Sequence, residues 1–215
     1  YTQGVVGVVA GSAEYPGAAI LCSGAAVAAT SGMVRYAGPA AAEVVSHWPE
    51  VVAAPSVQTA GRVQAWVIGP GLGTDEAALT ALTVVLNSDL PVIVDADALT
   101  MLTRHPHLVS TRAAPTVLTP HAGEYERFGL GPVGADRVAA ARRLADELGA
   151  TVLLKGNVTV IAGPGPAGRS EATGGFGEGT TFLNPAGGSW AATAGSGDVL
   201  SGIIRALAAA GLPAG

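Results

Sequence analysis

The sequence predicts an α/β protein with a mostly parallel sheet and helices on both faces. Short β-branched runs alternate along the chain with longer, Ala- and Leu-rich segments, as in successive βαβ units. The β-branched runs are almost continuously apolar, which is typical of strands buried on both faces. Glycines and polar residues follow these runs directly. In such sheets ligands bind beyond the carboxyl ends of the strands, so a site is expected there.

Local signals define the elements in chain order. The first strand is "VVGVVAG" (5–11), and a helix is predicted over 16–32, with Pro at its start and Gly after its end. Runs that begin as strands and end in turns or helix starts are predicted over 63–73, 90–99, 115–128 and 151–163, the last holding two strands joined through Gly156 and Asn157. Further helices are predicted over 75–87, 134–149 and about 197–210. The stretch 163–188 is predicted to be a loop with at most one edge strand.

Composition bounds the class of protein. With 215 residues, 49% hydrophobic and only 13% charged, the chain predicts one globular domain over residues 1–215 and excludes disorder. A net charge of −5 without a basic run argues against a nucleic-acid partner. The only cysteine, Cys22, lies in an Ala-rich helix and is predicted to be a core residue. Apolar segments are short and no signal peptide is visible, so we expect a cytoplasmic protein without membrane contact.

The stretch "TAGSGDVLSGII" (193–204) holds the first candidate site. Asp198 stands in the predicted first turn of a helix, where unpaired N–H groups and the helix dipole favour anions. Gly195 and Gly197 let the backbone approach a phosphate closely. An aspartate in that place accepts a proton from a hydroxyl that attacks phosphorus. The alternative is an ordinary capping aspartate.

The stretch "TPHAGE" (119–124) places His121 and Glu124 three residues apart at a helix start, so they face the same space. Glu124 suits a metal-bound water near phosphates, and His121 suits a hydrogen bond to a substrate. Alternatively, Glu124 closes a capping box. Lys155 in "KGNVT" suits either a phosphate or a surface role.

The segment "DADAL" ends a buried strand with two carboxylates. Asp97 is predicted to be an N-cap, whereas Asp95 ends a buried strand and is harder to explain as a structural residue alone, although no specific role is assigned to it. The common nucleotide motifs are absent: there is no P-loop, and "GPGLG" does not fit the GxGxxG spacing. No histidine spacing favours zinc, and no GxSxG elbow is present.

Seven segments together resemble one family, the ADP-dependent NAD(P)H-hydrate dehydratases, which form the carbohydrate-kinase-type domain of NAD(P)HX repair enzymes. They are, in order, "GSAEYPGA", "VIGPGLG", "PVIVDADAL", "VLTPHAGE", "LLKGNVTVIAGP", "LNPAGG" and "AGSGDVLSGII", covering about 4–211. The resemblance implies a ribokinase-like three-layer sandwich. It also implies that the S epimer of NADHX or NADPHX is phosphorylated on its ring hydroxyl by ADP, giving AMP, and then loses phosphate to restore NAD(P)H. Magnesium and a homotetramer are implied as well.

The resemblance also assigns roles by position. Asp198 would be the base on the substrate hydroxyl. The substrate pocket would be lined by Ala18, Gly71, Gly73, His121, Glu124 and Asp198, with Glu124 also serving the metal and phosphate region. The nucleotide side would be formed by Lys155, Gly156, Asn157, Val158, Thr159, Asn184 and Gly187, and the anion hole for the transferred phosphate by Gly195, Ser196 and Gly197.

The sequence departs from the family pattern in two places. Ala122 stands where members commonly have the second proline of "TPHPGE", and Ala194 where they have the first glycine of "GGSGD". We expect neither change to abolish activity. Many members carry an N-terminal epimerase domain, which is not seen here, and usually continue past Gly215. Two rival interpretations are a vitamin-precursor kinase, which would stop after phosphorylation, and an inactive adenylate-binding module, which Asp198 argues against.

Overall fold

A computed structural model describes residues 4–29, 32–165, 179–188 and 191–209. Nine strands form one sheet, and their bounds are β1 Val5–Val9, β2 Met33–Ala37, β3 Val52–Ala54, β4 Ala65–Ile68, β5 Val92–Val94, β6 Thr116–Leu118, β7 Thr151–Leu154, β8 Thr159–Ala162 and β9 Thr181–Asn184. The helices are α1 Pro16–Ala28, α2 Ala41–His47, α3 Glu76–Leu86, α4 Asp97–Leu102, α5 His107–Ser110, α6 Ala122–Glu126, α7 Arg137–Leu148 and α8 Ser196–Ala209, with a 3₁₀ turn at Val57–Thr59.

The strand order is β3-β2-β1-β4-β5-β6-β7-β8-β9. Strands β1 to β7 are parallel, β8 pairs antiparallel with β7, and β9 pairs antiparallel with β8 at one edge of the sheet. The chain moves outward from β1 to β3 and then crosses back to place β4 on the other side of β1. The carboxyl ends of β1 and β4 therefore border the topological switch point, where open α/β sheets bind ligands.

Two apolar cores lie on opposite faces of the sheet, which gives three layers. On one face α1, α2 and α8 cover inward residues such as Val6, Val8 and Val67. On the other face α3, α4 and α7 pack against alternating residues of the same strands, such as Val9 and Ile68. Because both faces are buried, the central strands carry almost no polar residue.

Most predicted elements are confirmed, including the edge strand β9, while residues 166–178 of the predicted loop lie outside the described residues. The stretch that holds β2, α2 and β3 had no predicted elements. The prediction for Asp97 is wrong: Ala96 occupies the N-cap position and Asp97 is the first helical residue. Within the described ranges, no helix has the length and apolarity needed to cross a bilayer.

Candidate active site

Two glycine-containing loops meet at the switch point. The N–H of Gly11, after β1, donates to the carbonyl of Pro70, after β4, at 2.7 Å. A Cβ on Gly71, whose φ is +60°, would lie 2.7 Å from the Cβ of Ala18. The predicted pocket residues Ala18 and Gly71 are therefore in direct contact, and the first turn of α1 faces bare backbone there.

The β4 loop is tied to the "DADAL" turn after β5. The N–H of Gly73 donates to the Asp97 carboxylate at 2.9 Å, which is the bond Asp97 makes instead of capping its helix. A Cβ on Gly69, whose φ is +126°, would lie 1.9 Å from the carbonyl oxygen of Asp95. Only glycine fits that approach. Ala96 in the same turn adopts a positive φ of 49°.

The "TPHAGE" turn forms a complete capping box at the start of α6. The N–H of Glu124 donates to Nδ1 of His121 at 3.2 Å, and the N–H of His121 donates to Oε2 of Glu124 at 2.8 Å. Glu124 is 6% exposed. The prediction that Glu124 closes a capping box is thus confirmed, and the box holds Glu124 in place as a buried carboxylate.

Lys155 lies at the centre of a charged cluster rather than on a free surface. Its Nζ donates to Oδ1 of Asp95 at 2.8 Å and lies 3.7 Å from Oε2 of Glu124. Ser201 of α8 donates to Oδ2 of Asp95 at 2.7 Å. Asp95 is 1% exposed, and each of its two oxygens accepts one hydrogen bond, from half-buried Lys155 or from buried Ser201. The cluster joins β5, β7, α6 and α8.

The first turn of α8 lies against this cluster. A Cβ on Gly197 would be 3.5 Å from Lys155 Nζ and 3.7 Å from Asp95 Oδ2. Gly195 has a φ of +85°. Both the N–H and the hydroxyl of Ser196 donate hydrogen bonds to the carbonyl of Thr193. Within the described ranges the N–H groups of Gly197 and Asp198 have no backbone acceptor outside the helix, so these first-turn amides can bind an anion.

Asp198 is half-buried beside these groups. Desolvation, followed by the negative charge of Asp95, raises the pKa of Asp198 to about 6, and Lys155 opposes this shift. A carboxylate with a pKa near neutrality is suited to general base catalysis. Behind it, burial raises the pKa of the Cys22 thiol, so this core residue stays protonated.

The "KGNVT" segment is held by a residue that sequence reasoning missed. Arg137 of α7 donates to the carbonyls of Lys155 at 3.0 Å, Leu154 at 3.3 Å and Val158 at 3.1 Å. A Cβ on Gly156 would lie 2.5 Å from the Arg137 guanidinium, so a side chain there would displace the guanidinium. No short motif could have revealed Arg137, because its partners lie 17 to 21 residues away.

The remaining predicted nucleotide residues lie along the same segment. Gly187 packs against Asn157, since a Cβ on Gly187 would be 2.4 Å from the Asn157 carbonyl oxygen. Asn184 of β9 pairs with Thr159 of β8. The site thus has three parts: the loops at the switch point, the charged cluster under α8, and the strand-end segment of β7 and β8. Asp95 and Ser201 belong to the second part and had not been assigned a site role.

Taken together, the fold and the site define a class. The architecture is the ribokinase-like α/β fold, shared by a solved ribokinase-like superfamily protein. A carboxylate of raised pKa, a cation and the first-turn amides of a helix are groups suited to phosphoryl transfer to a hydroxyl. The chain belongs to the NAD(P)H-hydrate dehydratase family, whose family model matches residues 6–214.

Individual proteins that are similar to this chain carry names from the same family. The chain is 68% identical over 215 residues to a bifunctional NAD(P)H-hydrate repair enzyme of Mycobacterium tuberculosis, covering 100% of this chain and 43% of the relative. It is 37% identical over 227 residues to an ADP-dependent (S)-NAD(P)H-hydrate dehydratase of Neisseria meningitidis, covering 99% and 71%. The chain therefore spans less than half the length of the mycobacterial relative.

A solved structure extends the similarity to three dimensions. It is an ADP/ATP-dependent NAD(P)H-hydrate dehydratase of Bacillus subtilis, co-crystallized with ATP/Mg²⁺ and soaked with CoA. Its TM-score is 0.78 at 30% identity, and the match covers 97% of this chain and 75% of that one. The prediction of a ribokinase-like sandwich and of this family is confirmed.

Proposed function

We propose that this chain dehydrates the S epimer of NADHX and NADPHX to NADH and NADPH, using ADP. In the first step the ring hydroxyl oxygen attacks the β-phosphorus of ADP, AMP leaves, and the hydroxyl proton passes to a base. In the second step the C–O bond breaks, phosphate leaves with the electron pair, and loss of a ring proton restores the double bond. Phosphate is a better leaving group than hydroxide, which is why a nucleotide is consumed.

The observation that carries the proposal is the position of Asp198 in a chain of this family. Its carboxylate has a pKa of about 6 and stands in the first turn of α8, beside the cluster that holds the Lys155 ammonium. We assign Asp198 as the base. The amides of Gly197 and Asp198 stabilise the transferred phosphate, and Gly195 and Ser196 shape that loop.

The substrate and the nucleotide occupy neighbouring regions in this proposal. Ala18, Gly71 and Gly73 form the wall of small residues against which the dinucleotide lies, while the exposed ring of His121 contacts its hydrated ring. The nucleotide follows the segment Lys155, Gly156, Asn157, Val158 and Thr159, bordered by Asn184 and Gly187. The close packing of Gly187 on Asn157 supports one continuous surface there.

Magnesium fits this site as an ion carried by phosphates. Among the described residues, no three His, Cys, Asp or Glu side chains are grouped as metal ligands. Mg²⁺ commonly uses one or two carboxylates, several waters and the phosphates of its substrate. Glu124 suits this role as a carboxylate of the charged cluster whose Oε1 lies 3.6 Å from His121 Nε2, beyond hydrogen-bond distance. The ion would neutralise charge on the phosphates.

The wider setting stays a prediction. Residues 1–215 form one dehydratase domain, the chain assembles into a homotetramer, and the enzyme acts in the cytoplasm on small molecules. Size-exclusion chromatography with light scattering tests the tetramer.

The activity is tested by mixing the purified chain with NADHX, Mg²⁺ and ADP, and following the absorbance of reduced nicotinamide. ADP-dependent recovery of NADH with one AMP released per NADH is expected. Recovery with ATP alone would keep the dehydration and overturn ADP as donor. No recovery from folded protein with either nucleotide would favour a vitamin-precursor kinase, a rival that stops after phosphorylation.

A further inference from the structure

The carboxylate of Asp95 is engaged on both oxygens by groups from two distant elements. Oδ1 accepts a hydrogen bond from Lys155 Nζ, at the end of β7, at 2.8 Å. Oδ2 accepts one from the hydroxyl of Ser201, on α8, at 2.7 Å. Asp95 and Ser201 are both buried. A buried charge is tolerated only when it is paired. The two hydrogen bonds therefore stabilise the Asp95 carboxylate, and they also fix the positions of Lys155 Nζ and the Ser201 hydroxyl.

The main chain of Lys155 is also fixed. Its N–H donates to the carbonyl of Pro120 at 2.8 Å, and its own carbonyl accepts from Arg137 at 3.0 Å. The side chain is long and flexible, and its Nζ lies between two carboxylates, Asp95 at 2.8 Å and Glu124 at 3.7 Å. The shorter contact determines where the ammonium sits. Asp95 therefore sets the position of Nζ relative to the first turn of α8.

We propose that Asp95 is a positioning residue, which holds the Lys155 ammonium and the start of α8 in one fixed arrangement for phosphoryl transfer. This inference rests on the proposed function. Ser201 lies three residues after Asp198 on the same helix, so its bond to Asp95 anchors the turn that carries the base. A Cβ added at Gly197 would lie 3.5 Å from Lys155 Nζ and 3.7 Å from Asp95 Oδ2, so the first turn of α8 lies beside both members of the ion pair.

The ion pair of Asp95 and Lys155 also affects the pKa of Asp198. Removal of the Asp95 charge takes away a neighbour that raises the pKa of Asp198 and leaves the charge of Lys155, which lowers it, less compensated. In the part of the chain that the structure describes, the other charged or titratable groups around this turn include Asp97 of α4, Glu124 of α6, Cys22 of α1 and Arg205 of α8. None of them is changed by a substitution at Asp95.

Three variants separate positioning from general loosening. Asp95→Asn keeps the size of the side chain, but it removes the charge that holds Lys155 and replaces one acceptor oxygen with a donating NH₂ group. Ser201→Ala removes only the anchor on α8. Asp89→Asn is the matched control, because this exposed carboxylate lies before β5, at the opposite end of the same strand. Each variant is assayed for kcat and KM with NADHX and ADP, and the Asp198 carboxyl is titrated by carbon-13 NMR.

We expect Asp95→Asn to lower kcat by roughly 10- to 100-fold with a smaller change in KM, since misplaced groups cost that much in rate. We also expect the titration midpoint of Asp198 to fall below the parental value of about 6. Ser201→Ala should lower kcat less, and Asp89→Asn should match the parent. An unchanged midpoint, or a parental kcat in folded Asp95→Asn, would overturn the proposal. If the parent itself forms no NADH, the proposed function fails, whereas the NMR titration still decides whether Asp95 and Lys155 act on Asp198.

Discussion

His121 and Glu124 bind each other reciprocally at the start of α6, the N–H of each meeting the side chain of the other at 2.8 and 3.2 Å. A capping box explains why both residue types stand at this spacing, independently of catalysis. Yet Glu124 Oε2 is also 3.7 Å from the ammonium of Lys155. The same carboxylate therefore serves both local folding and the charged cluster, and these two roles can be separated by mutation.

Glu124→Gln preserves the cap and removes the charge, because a glutamine side chain also accepts from the His121 N–H. We expect its unfolding free energy to stay within about 0.5 kcal/mol of the parent, while ADP-dependent turnover falls at least tenfold, on the order expected for a lost electrostatic contact. Glu124→Ala should lose turnover and also about 1 kcal/mol of stability. Denaturant unfolding and steady-state assays measure both effects. Parental turnover in Glu124→Gln would leave Glu124 with a capping role alone.

The pH dependence of turnover follows from Asp198. Desolvation and Asp95 raise the pKa of Asp198 to about 6, and only the deprotonated carboxylate accepts a proton. We therefore expect kcat/KM to fall as pH drops through about 6 and to be independent of this group above pH 7. A pH–rate profile between pH 5 and 8 measures this limb. A limb near pH 4 would show that the carboxyl titrates like an exposed aspartate and is not tuned by its surroundings.

Much of this arrangement follows from the sequence, and some of it does not. Long apolar runs and the glycines after them predict the central strands and the loops that border the site. Strand β3 and helix α2 were missed because they have three and seven residues, with only Val44 buried in the helix. The pairing of Asp95 with Lys155 and Ser201 spans 60 and 106 residues, and only tertiary structure reveals it. Local signals also misplaced the cap of α4, since Asp97 binds Gly73 instead.

The crossing of α8 over α1 depends on Gly202. A Cβ there would lie 2.5 Å from the carbonyl oxygen of Cys22 and 2.7 Å from the Cβ of Ala25. We expect Gly202→Ala to lower the unfolding free energy by about 1–3 kcal/mol, because backbone must move. Gly17→Ala on α1 is the matched control: no atom lies within 4 Å of its Cβ position, so stability should be unchanged or slightly raised. Equal stability of both variants, measured by denaturant unfolding, would contradict this packing.

Arg205 is a buried guanidinium on α8 whose nitrogens have no hydrogen-bond partner in the described part of the chain. Burial lowers its pKa well below the usual range, which means that holding its charge at neutral pH opposes folding. We expect Arg205→Met, which keeps the apolar stem, to raise the unfolding free energy by about 1–4 kcal/mol. Exposed Arg104 is the control, and Arg104→Met should stay within about 0.5 kcal/mol of the parent. A less stable Arg205→Met would show that the guanidinium is compensated in the folded state.

The most direct test of the account compares the parent and Asp198→Asn in the NADHX assay with Mg²⁺ and ADP. Asparagine keeps the shape of the site and removes the base. We predict that the parent restores NADH only when ADP is present, and that Asp198→Asn binds ADP with similar affinity but restores NADH about 10²- to 10⁴-fold more slowly. Parental rates in Asp198→Asn would contradict the assignment of the base and, with it, the proposed mechanism.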